Sequence, residues 1–302
     1  MSERVMLLDT ASLYFRAFYG IPTTIKAPDG TPVNALRGLL DFMSRLVVTH
    51  RPTSLVAAWD DDWRPKFRVD AVPSYKAHRV AEEDEEEMPD ELAPQVDLII
   101  EVLDLIGIPR IGAAGFEADD VIATLATRTS APVLIVTGDR DLFQLIDDSQ
   151  PIKVLYTAAK GVLNAELIDD AAVRARYGVG ADQYADFALL RGDPSDGLPG
   201  VRGIGEKTAA KLIGEFGSVS ALFEAVSAGS AGLTPAMTKK LADGVGYVDQ
   251  AEAVVLVVRD IDLPPVSTTL PAAPADPAGL ALFADQWGVE SAVERLAVAL
   301  AW

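Results

Sequence analysis

Two kinds of hydrophobic pattern alternate along the first half of the chain. Short continuous apolar runs predict buried strands at residues 5–8, 54–59, 108–111, 133–136 and 152–155. Segments in which apolar residues recur every three or four positions predict helices at residues 13–19, 36–49, 96–106 and 121–126. Strands that alternate with helices favour an α/β fold built on a parallel sheet.

The second half of the chain has a different pattern. Helices with no strand between them are predicted at residues 165–177, 184–190 and 283–299. A connector rich in proline and alanine, at residues 264–277, precedes the last of these helices. We therefore expect an α/β domain over residues 1–177, followed by an all-α region over residues 178–302.

Acidic residues follow three of the predicted strands. Asp60 comes directly after the strand at 54–59, Asp9 follows the first strand, and Asp139 lies three residues beyond the strand at 133–136. The carboxyl ends of parallel strands share one rim of a sheet, where ligands bind. One aspartate at a strand end means little, but three in succession predict a cation site made of oxygen ligands.

The strand at 133–136 is also bracketed by carboxylates. There are five of them: Glu117, Asp119, Asp120, Asp139 and Asp141. The first three precede a predicted helix and the last two lie at the start of the next one, so either group alone is consistent with simple helix capping. Together, five like charges repel each other unless cations lie between them, which favours divalent metal ions. Asp193 and Asp196, three residues apart in the second half, could reach the same rim.

The composition excludes several kinds of site and protein. The 302 residues include no cysteine, which excludes disulfides and thiolate zinc sites, and two histidines, which argues against histidine-based metal sites and triads. No apolar run is long enough to span a membrane and the N-terminus lacks a signal-peptide core, so a cytoplasmic protein is expected. The net charge of −19 falls largely on an acidic run at 82–91 and on the candidate metal ligands, which leaves room for a nucleic-acid interface elsewhere.

The apolar rhythm disappears between residues 63 and 94, which indicates a long loop or lid. The acidic segment AEEDEEE within it is typical of a solvated stretch. Tyr75, Lys76 and Arg79 place an aromatic ring and two cations within five residues, a set that suits phosphate contact and base stacking. An ordinary exposed helix explains this segment equally well.

A second motif, the segment GVRGIGEKTAAKL, has the pattern of a helix-hairpin-helix. Gly203 and Gly205 allow a tight turn whose backbone N–H groups can approach a phosphate at the start of the next helix. Lys207 and Lys211, one turn apart on that helix, add charge-assisted contacts. The motif therefore predicts binding to a nucleic-acid backbone.

Taken together, these motifs resemble the flap endonuclease/5′-nuclease family, above all the 5′-nuclease domain of bacterial DNA polymerase I, here expected as a free-standing protein. The segments FEADD, TGDRDL, YKAHR and GDPSDGLPGVRGIGEKTA carry the resemblance, which runs from Val5 to the end of the chain. It implies a PIN-like α/β nuclease domain with a parallel sheet and a helical arch at about residues 63–94, followed by an all-α helix-hairpin-helix region.

The resemblance also implies roles for individual residues. The metal ligands of the family correspond to Asp9, Asp60, Glu117, Asp119, Asp120, Asp139, Asp141, Asp193 and Asp196. The basic pair that acts in catalysis corresponds to Lys76 and Arg79. The DNA-binding residues correspond to Arg16, Tyr75, Gly203, Gly205, Lys207, Thr208 and Lys211. Tyr75 would stack on the base beside the cut, and a K⁺ ion is implied in the hairpin near residues 201–204.

This chain departs from the family at three places. Three consecutive aspartates follow the second strand, of which Asp60 is favoured as the ligand while Asp61 or Asp62 could bind a further ion. Gly197 stands where most relatives have asparagine, so any polar contact from that asparagine is absent. The arch is unusually acidic between residues 82 and 87.

The resulting hypothesis is a structure-specific 5′ nuclease that hydrolyses DNA with two or three Mg²⁺ or Mn²⁺ ions. Two ions about 4 Å apart would activate water and stabilise the leaving 3′-oxygen, so no protein nucleophile is needed. The expected partners are DNA with a 5′ flap, a nick or a free 5′ end, RNA-primed ends included, with links to DNA polymerase I and ligase in Okazaki-fragment processing and repair. A cytoplasmic, nucleoid-associated monomer is expected.

Three alternatives belong to other classes. They are a non-catalytic structure-specific DNA-binding factor, a PIN-type ribonuclease and a small-molecule phosphatase. The hairpin argues against the last two, because neither needs to hold a duplex. The balance between flap incision and exonuclease action stays open.

Overall fold

The computed structural model describes residues 3–80, 88–229, 232–265 and 267–302. Its centre is a six-stranded sheet whose strands, β1 to β6 in chain order, are Val5–Asp9, Ser54–Ala58, Arg110–Ile111, Val133–Thr137, Ile152–Tyr156 and Glu166–Ile168. The order across the sheet is β3-β2-β1-β4-β5-β6. Neighbouring strands pair in parallel except β5 and β6, which are antiparallel. The predicted α/β fold with a parallel sheet is confirmed.

The described ranges contain twelve α-helices, α1 to α12 in chain order. They are Thr10–Gly20, Asn34–His50, Lys66–Ala71, Ala93–Ile106, Ala118–Arg128, Asp170–Tyr177, Tyr184–Arg191, Glu206–Phe216, Val219–Ser227, Pro235–Val255, Pro277–Trp287 and Glu290–Ala299. None of these described helices combines the length and the apolar character that crossing a membrane requires.

The sheet separates two layers of apolar packing. Met6 and Leu8 of β1 join one layer and Leu7 joins the other, because successive side chains of a strand point to opposite faces. Helices α1, α2, α4, α11 and α12 contribute to the first layer, and α5 with α7 to α10 contribute to the second. Since helices cover both faces, the carboxyl ends of the parallel strands form the rim at which a ligand can bind.

The last part of the chain returns to the first half of the fold. The N–H of Leu55 in β2 donates to the carbonyl of Thr268 at 2.9 Å. Helix α12 then packs along α2, where Arg295 forms an ion pair with Asp41 at 2.6 Å. The two halves expected on either side of residue 177 therefore share packing.

The helix predicted at residues 165–177 is wrong in its first part, where β6 lies. Leu167 is exposed and Ile168 is buried, an alternation typical of a strand but too short to show in the sequence. The side chain of Asp169 accepts a hydrogen bond from the N–H of Ala172 at 3.0 Å. Because Asp169 is the N-cap, α6 begins at Asp170.

Three further differences concern helix length. The helix predicted at 283–299 is two helices, because Gly288 ends α11 with a φ of +62°. The residues Asp141–Leu145 form a 3₁₀ turn rather than the start of an α-helix. Of the arch expected at 63–94, the described residues carry α3 and a 3₁₀ turn at Ala77–Arg79, and the acidic run AEEDEEE lies outside the described residues.

Candidate active site

The ends of β1 and β2 hold the first two predicted ligands at the rim of the sheet. Asp9 ends β1 and caps α1: its carboxylate accepts hydrogen bonds from the N–H of Ser12 at 3.1 Å and from the hydroxyl of Thr137 at 2.6 Å. Asp60 lies two residues beyond β2 and accepts from the N–H of Ala118 at 2.9 Å. Bonds to helix N-termini therefore fix both carboxylates at the strand ends.

A cavity of about 240 Å³ opens between these strand ends. The predicted metal ligands that line it are Asp9, Asp60, Glu117, Asp119 and Asp139. The predicted phosphate-contacting residues that line it are Arg16, Lys76 and Arg79. The structure thus brings carboxylates and cations from separate helices, strands and loops into one enclosure.

The three consecutive aspartates after β2 differ in position. Asp60 lines the cavity. Asp61 is exposed and lies against Gly112, and Asp62 accepts a hydrogen bond from the N–H of Arg64 at 3.1 Å. The geometry therefore favours Asp60 as the residue that could hold an ion in the cavity.

Burial and neighbouring negative charge raise the pKa of two aspartates of the cavity, Asp9 and Asp119. Burial, opposed by the hydrogen bond from Thr137 and reinforced by the charges of Asp60 and Asp139, raises the pKa of Asp9 to about 7. Burial, followed by the charges of Asp139 and Asp9, raises the pKa of Asp119 well above its ordinary value. A carboxyl group whose pKa rises in this way lacks enough positive charge nearby to balance its ionised form.

Asp141 and Asp196 extend the acidic rim beyond the cavity. Within the described part of the chain, the Oδ1 atom of Asp141 is buried and has no hydrogen-bond partner. Burial and then the charges of Asp139 and Asp196 raise the pKa of Asp141 well above its ordinary value. Burial and Asp139, opposed by Lys76 and Arg79, raise the pKa of Asp196 to about 6. A buried carboxylate oxygen without a donor costs free energy, which a cation at that position would offset.

Glu117 is held by basic and hydroxyl groups on the side of the cavity. Its carboxylate accepts hydrogen bonds from the Nζ of Lys76 at 2.5 Å, from the hydroxyl of Tyr75 at 2.8 Å and from the guanidinium of Arg68. Burial disfavours the charged form of Lys76, but the negative charge of Glu117 prevails and raises the pKa of Lys76 well above its ordinary value. Lys76 therefore enters the cavity as a full cation in an ion pair.

The base-stacking role predicted for Tyr75 stays a prediction, and the structure places the ring in the interior. The side chain is 3% exposed, its hydroxyl donates to Glu117, and the Nζ of Lys76 lies 5.2 Å from the ring centroid. In the sequence, an aromatic residue beside two cations indicates an exposed ring. In the structure, the hydrogen bond from the hydroxyl to the buried carboxylate of Glu117 keeps the ring in the interior. Tyr75 therefore orients Glu117.

Arg16 reaches the cavity from α1 over a glycine. A Cβ on Gly138 would lie 2.7 Å from the Oγ of Ser12 and 2.9 Å from an Nη of Arg16, so the absence of a side chain there leaves the space that both groups use. The Nε of Arg16 is buried and makes no hydrogen bond within the described residues. This guanidinium is therefore available to an anion in the cavity.

Asp120 does not line the cavity, although it was predicted as a metal ligand. It is fully buried and accepts two hydrogen bonds from Arg68, at 2.7 and 2.9 Å. The N–H groups of Val258 and Glu117 donate to the same carboxylate at 2.8 and 3.3 Å. Four donors fill the lone-pair positions of a carboxylate, so direct ligation by Asp120 does not match this arrangement.

Asp193 has the same number of donors. Arg140 and Arg191 donate to its carboxylate at 3.0 and 3.2 Å, and the N–H and hydroxyl of Ser195 donate at 3.0 and 2.5 Å. These four bonds again leave no acceptor position for an ion. Asp193 instead shapes the turn that carries Asp196.

The predicted hairpin is present, with one addition. Gly203 has a φ of +78°, and α8 begins directly after Gly205. On the first turns of α8, Lys207 and Lys211 are exposed and Thr208 is half-buried. Lys240 from α10 donates to the carbonyl of Gly203 at 3.2 Å, which places a further lysine at the hairpin. Sequence reasoning missed it because α10 is distant along the chain.

Arg68 is the second functional residue that sequence reasoning missed. It is 1% exposed and pairs with both Glu117 and Asp120. These partners lie 49 and 52 positions away, so no local pattern could pair them.

The donor set suits a hard divalent cation. Every predicted ligand is a carboxylate, and Mg²⁺ and Mn²⁺ prefer oxygen. Among the described residues, no three acidic or histidine side chains stand in an arrangement that could hold a metal ion as they are. The partnerless Oδ1 of Asp141 and the raised pKa of Asp9 and of Asp119 nevertheless match a place for positive charge. The residues therefore fit a divalent ion in chemistry, once their side chains turn toward it.

Comparison with known proteins adds independent findings. Residues 4–178 match the family model described as "5'-3' exonuclease, N-terminal resolvase-like domain", and residues 179–278 match "5'-3' exonuclease, C-terminal SAM fold". A 5'-3' exonuclease of Streptomyces coelicolor is 57% identical over 300 residues, which cover 98% of this chain and 99% of the relative. DNA polymerase I of Mycobacterium bovis is 42% identical over 276 residues, which cover 90% of this chain and 29% of the polymerase.

A solved structure has a related fold. The bacteriophage T5 flap endonuclease, in a pseudo-enzyme-product complex with DNA and metal ions, superposes with a TM-score of 0.62 at 16% identity, over 99% of this chain and 97% of that one. At this identity the likeness establishes the fold, which agrees with the predicted PIN-like architecture followed by a helical region. Both parts of the family pattern occur here in order, and the S. coelicolor relative matches along nearly its whole length, so the chain belongs to the 5′-3′ exonuclease family.

Proposed function

We propose that this nuclease is a structure-specific 5′ nuclease, acting on DNA as a 5′-flap endonuclease and a 5′-to-3′ exonuclease. The observation that carries the proposal is the cavity lined by five carboxylates and three basic side chains. Carboxylates bind divalent cations, and arginine and lysine bind phosphate. A cavity that offers both is suited to a phosphodiester held beside metal ions.

We assign Mg²⁺ or Mn²⁺, two or three ions in number, to the carboxylates at the cavity and its acidic extension. These are Asp9, Asp60, Glu117, Asp119, Asp139, Asp141 and Asp196. Divalent ions bound there supply Lewis-acid polarisation of the scissile phosphate and lower the pKa of the attacking water. In this proposal Asp120 and Asp193 hold arginines in place rather than ions.

The basic side chains bind and orient the phosphate. Arg16, Lys76 and Arg79 enter the cavity from α1 and from the loop before α4. Fixed cations at these positions favour the negative charge that develops on the phosphate in the transition state. In this proposal water is the nucleophile, which is consistent with a described cavity lining that has no histidine beside the hydroxyl of Ser12 and with a sequence that has no cysteine.

The hairpin holds the duplex in this proposal. Gly203 and Gly205 expose backbone N–H groups to a phosphate, with Lys207, Lys211 and Lys240 around them. A K⁺ ion near residues 201–204 belongs to the same proposal. The division of labour is between residues 1–177, which carry most of the acidic cavity, and residues 178–302, which carry the hairpin.

The biological setting completes the proposal. The substrates are DNA with a 5′ flap, a nick or a free 5′ end, including RNA-primed ends. The protein would act in the cytoplasm at the nucleoid as a monomer, in replication and repair beside DNA polymerase I and ligase.

The test is cleavage of a flap duplex labelled at its 5′ end, with Mg²⁺ or Mn²⁺ and with a chelator as control. An oligonucleotide released at the flap junction, together with mononucleotides from a nicked duplex, both abolished by the chelator, is the expected result. A shift in mobility without cutting would support a non-catalytic binding factor. Cleavage confined to a single-stranded RNA of the same sequence would support a PIN-type ribonuclease.

A further inference from the structure

The segment at residues 74–79, which carries Lys76 and Arg79, has little support from its own secondary structure. Its regular part is the 3₁₀ turn at Ala77–Arg79. Lys76 itself has a φ of +48°, in the left-handed region that side-chain-bearing residues rarely adopt. Such a conformation persists when surrounding contacts hold it.

Several of those contacts come from the turn at residues 193–198. Others come from the guanidinium of Arg64, which donates to the carbonyl of Tyr75 at 2.7 Å, and from the carboxylate of Glu117. The hydroxyl of Ser74 donates to the carbonyl of Gly197 at 2.8 Å, and the N–H of Lys76 donates to the carbonyl of Asp196 at 3.0 Å. The guanidinium of Arg79 donates to the carbonyl of Ser195 at 2.9 Å and to the carboxylate of Asp196 at 2.9 Å. Lys76 and Arg79, two of the three basic residues of the cavity, are thus bonded through segment 74–79 to a turn more than a hundred residues later in the chain.

Gly197 is the residue that lets the two segments meet. It has a φ of +75°, and a Cβ built on it would overlap the carbonyl oxygen of Ser74. The same Cβ would lie 3.0 Å from the carbonyl carbon of Ser74 and 3.6 Å from the nitrogen of Lys76. Since two backbones meet here in this chain, a side chain at position 197 requires segment 74–79 to move, although most relatives carry asparagine at that position.

The turn at 193–198 is rigid enough to serve as an anchor. The N–H of Leu198 donates to the carbonyl of Asp193 at 2.9 Å, and the N–H of Gly197 donates to that of Pro194 at 3.2 Å. The carboxylate of Asp193 is itself fixed by Arg140 and Arg191. An element held on both sides in this way can transmit its position to the segment that docks on it.

We propose that Gly197 is a positioning residue: it admits segment 74–79 onto the turn at 193–198 and so holds Lys76 and Arg79 at the cavity. The proposal rests on the phosphate-binding role proposed above for these two side chains. The turn also leads within a few residues into the hairpin at Gly203 and Gly205. The basic side chains and the duplex-binding backbone therefore share one support, which fixes the distance between the held duplex and the bond that is cut.

The experiment replaces Gly197→Asn and compares it with Gly178→Asn. Gly178 has nearly the same backbone angles, φ +76° and ψ 9° against φ +75° and ψ 18°, but the nearest atom to its Cβ is 3.6 Å away. Both substitutions therefore place asparagine in the left-handed region, and only the one at Gly197 displaces a neighbouring backbone. Ser74→Ala is a milder third variant, which removes one hydrogen bond and adds no atom.

Three measurements are made on each variant and on the wild-type protein. These are kcat and KM on a 5′-flap duplex, the affinity for that duplex in chelator, and amide hydrogen exchange of the peptide containing Lys76. For Gly197→Asn we expect kcat to fall by about 10- to 100-fold, since misplacement by about 1 Å can cost this much. KM and affinity should change less than kcat, because the hairpin that holds the duplex is not itself substituted. The amide of Lys76 should exchange faster, with Ser74→Ala intermediate and Gly178→Asn unchanged.

Contrary outcomes separate the possible failures. Faster exchange with an unchanged kcat would overturn the positioning role. Unchanged exchange in both Gly197→Asn and Ser74→Ala would overturn the docking contact itself. A wild-type protein that cuts no flap, although the variants still exchange faster, would overturn the proposed nuclease function and the catalytic part of this inference, while the contact would stand.

Discussion

Two sets of carboxylates at the same rim meet opposite environments. The strained set, Asp9, Asp119 and Asp141, consists of groups whose pKa is raised by burial and by neighbouring negative charge. The paired set, Asp120 and Asp193, has four donors on each carboxylate. These two sets therefore differ in the number of donors as well as in burial.

Asp119 and Asp120 show how local this difference is. They are consecutive in the sequence and lie in the first turn of the same helix, α5. Successive residues of a helix point about 100° apart, so one side chain lines the cavity while the other meets Arg68 in the core. Of these two adjacent acidic residues, Asp119 thus lines the candidate ion site and Asp120 stabilises the structure beneath it.

The largest expected effect comes from a member of the strained set. Asp141→Asn should lower the rate of flap cleavage by about 10³-fold, because a ligand of the proposed divalent ions, which would stabilise the reacting charges, is lost. The same change should raise the melting temperature of the metal-free protein, since it removes one of several repelling charges. Gel-resolved cleavage kinetics and calorimetry in chelator measure the two effects.

The matched control is Asp285→Asn, which changes an exposed aspartate on α11. It should alter neither quantity. A drop in melting temperature for Asp141→Asn would mean that Asp141 is satisfied in the metal-free protein and belongs with the paired set.

The next largest effect comes from the paired set and has the opposite sign on stability. Asp120→Asn should lower the free energy of unfolding by about 3–5 kcal/mol, because it leaves the buried guanidinium of Arg68 without one of its two carboxylate partners. Denaturant unfolding in chelator measures the change. Asp243→Asn is the control: it breaks an ion pair with Lys239 whose side chains are 64% and 75% exposed, and it should cost little. Equal losses for the two variants would contradict the distinction between the sets.

The smallest effect is a dependence of stability on pH. A carboxyl group whose pKa is higher in the folded state binds its proton more tightly there, so its contribution to stability is present at low pH and is lost as pH rises through the folded value. Asp9, at about 7, and Asp196, at about 6, place that loss between about pH 4 and pH 7. The melting temperature of the protein in chelator should therefore be higher at pH 5.5 than at pH 8 by a few degrees.

Saturating Mg²⁺ should flatten this dependence, because divalent charge then balances the ionised carboxylates. The Asp9→Asn variant should flatten it in part without any metal. A melting temperature in chelator that rises steadily from pH 5.5 to pH 8 would show that the pKa values of the strained set are not raised in the folded protein.

The sequence was sufficient for those parts of the fold that depend on local patterns. Strands β1, β2 and β4 are continuous apolar runs because helices cover both of their faces, and this pattern is visible without a structure. The positions of Asp9 and Asp60 at the rim could be predicted from the same pattern, because a residue at the end of a strand lies at the rim of the sheet. Strand β6 was missed because its three residues lie at the edge of the sheet and show too little alternation to outweigh the helical pattern that follows.

The parts that could not be predicted depend on which distant segments meet. The sequence around Tyr75 does not distinguish an exposed ring that stacks on a base from a buried ring whose hydroxyl donates to the carboxylate of Glu117. The role of Arg68 could be recognised only once its partners at the start of α5 were known. The role of Lys240 could be recognised only once its contact with the hairpin was known. Gly197 was noticed as a departure from its family, but its reason, the carbonyl of Ser74, lies more than a hundred residues away.

The return of the last helix to α2 has a consequence for synthesis of the protein. Ser44 and Asp41 on α2 bond to Arg295 on α12, about 250 positions later. A ribosome releases α2 early, and the apolar surface that α12 covers must then wait, uncovered, while most of the remaining chain is made. Contacts of such long range also slow the final folding step, because a large loop must close first. We therefore expect the nascent first half to expose apolar surface that favours aggregation and that α12 covers in the complete fold.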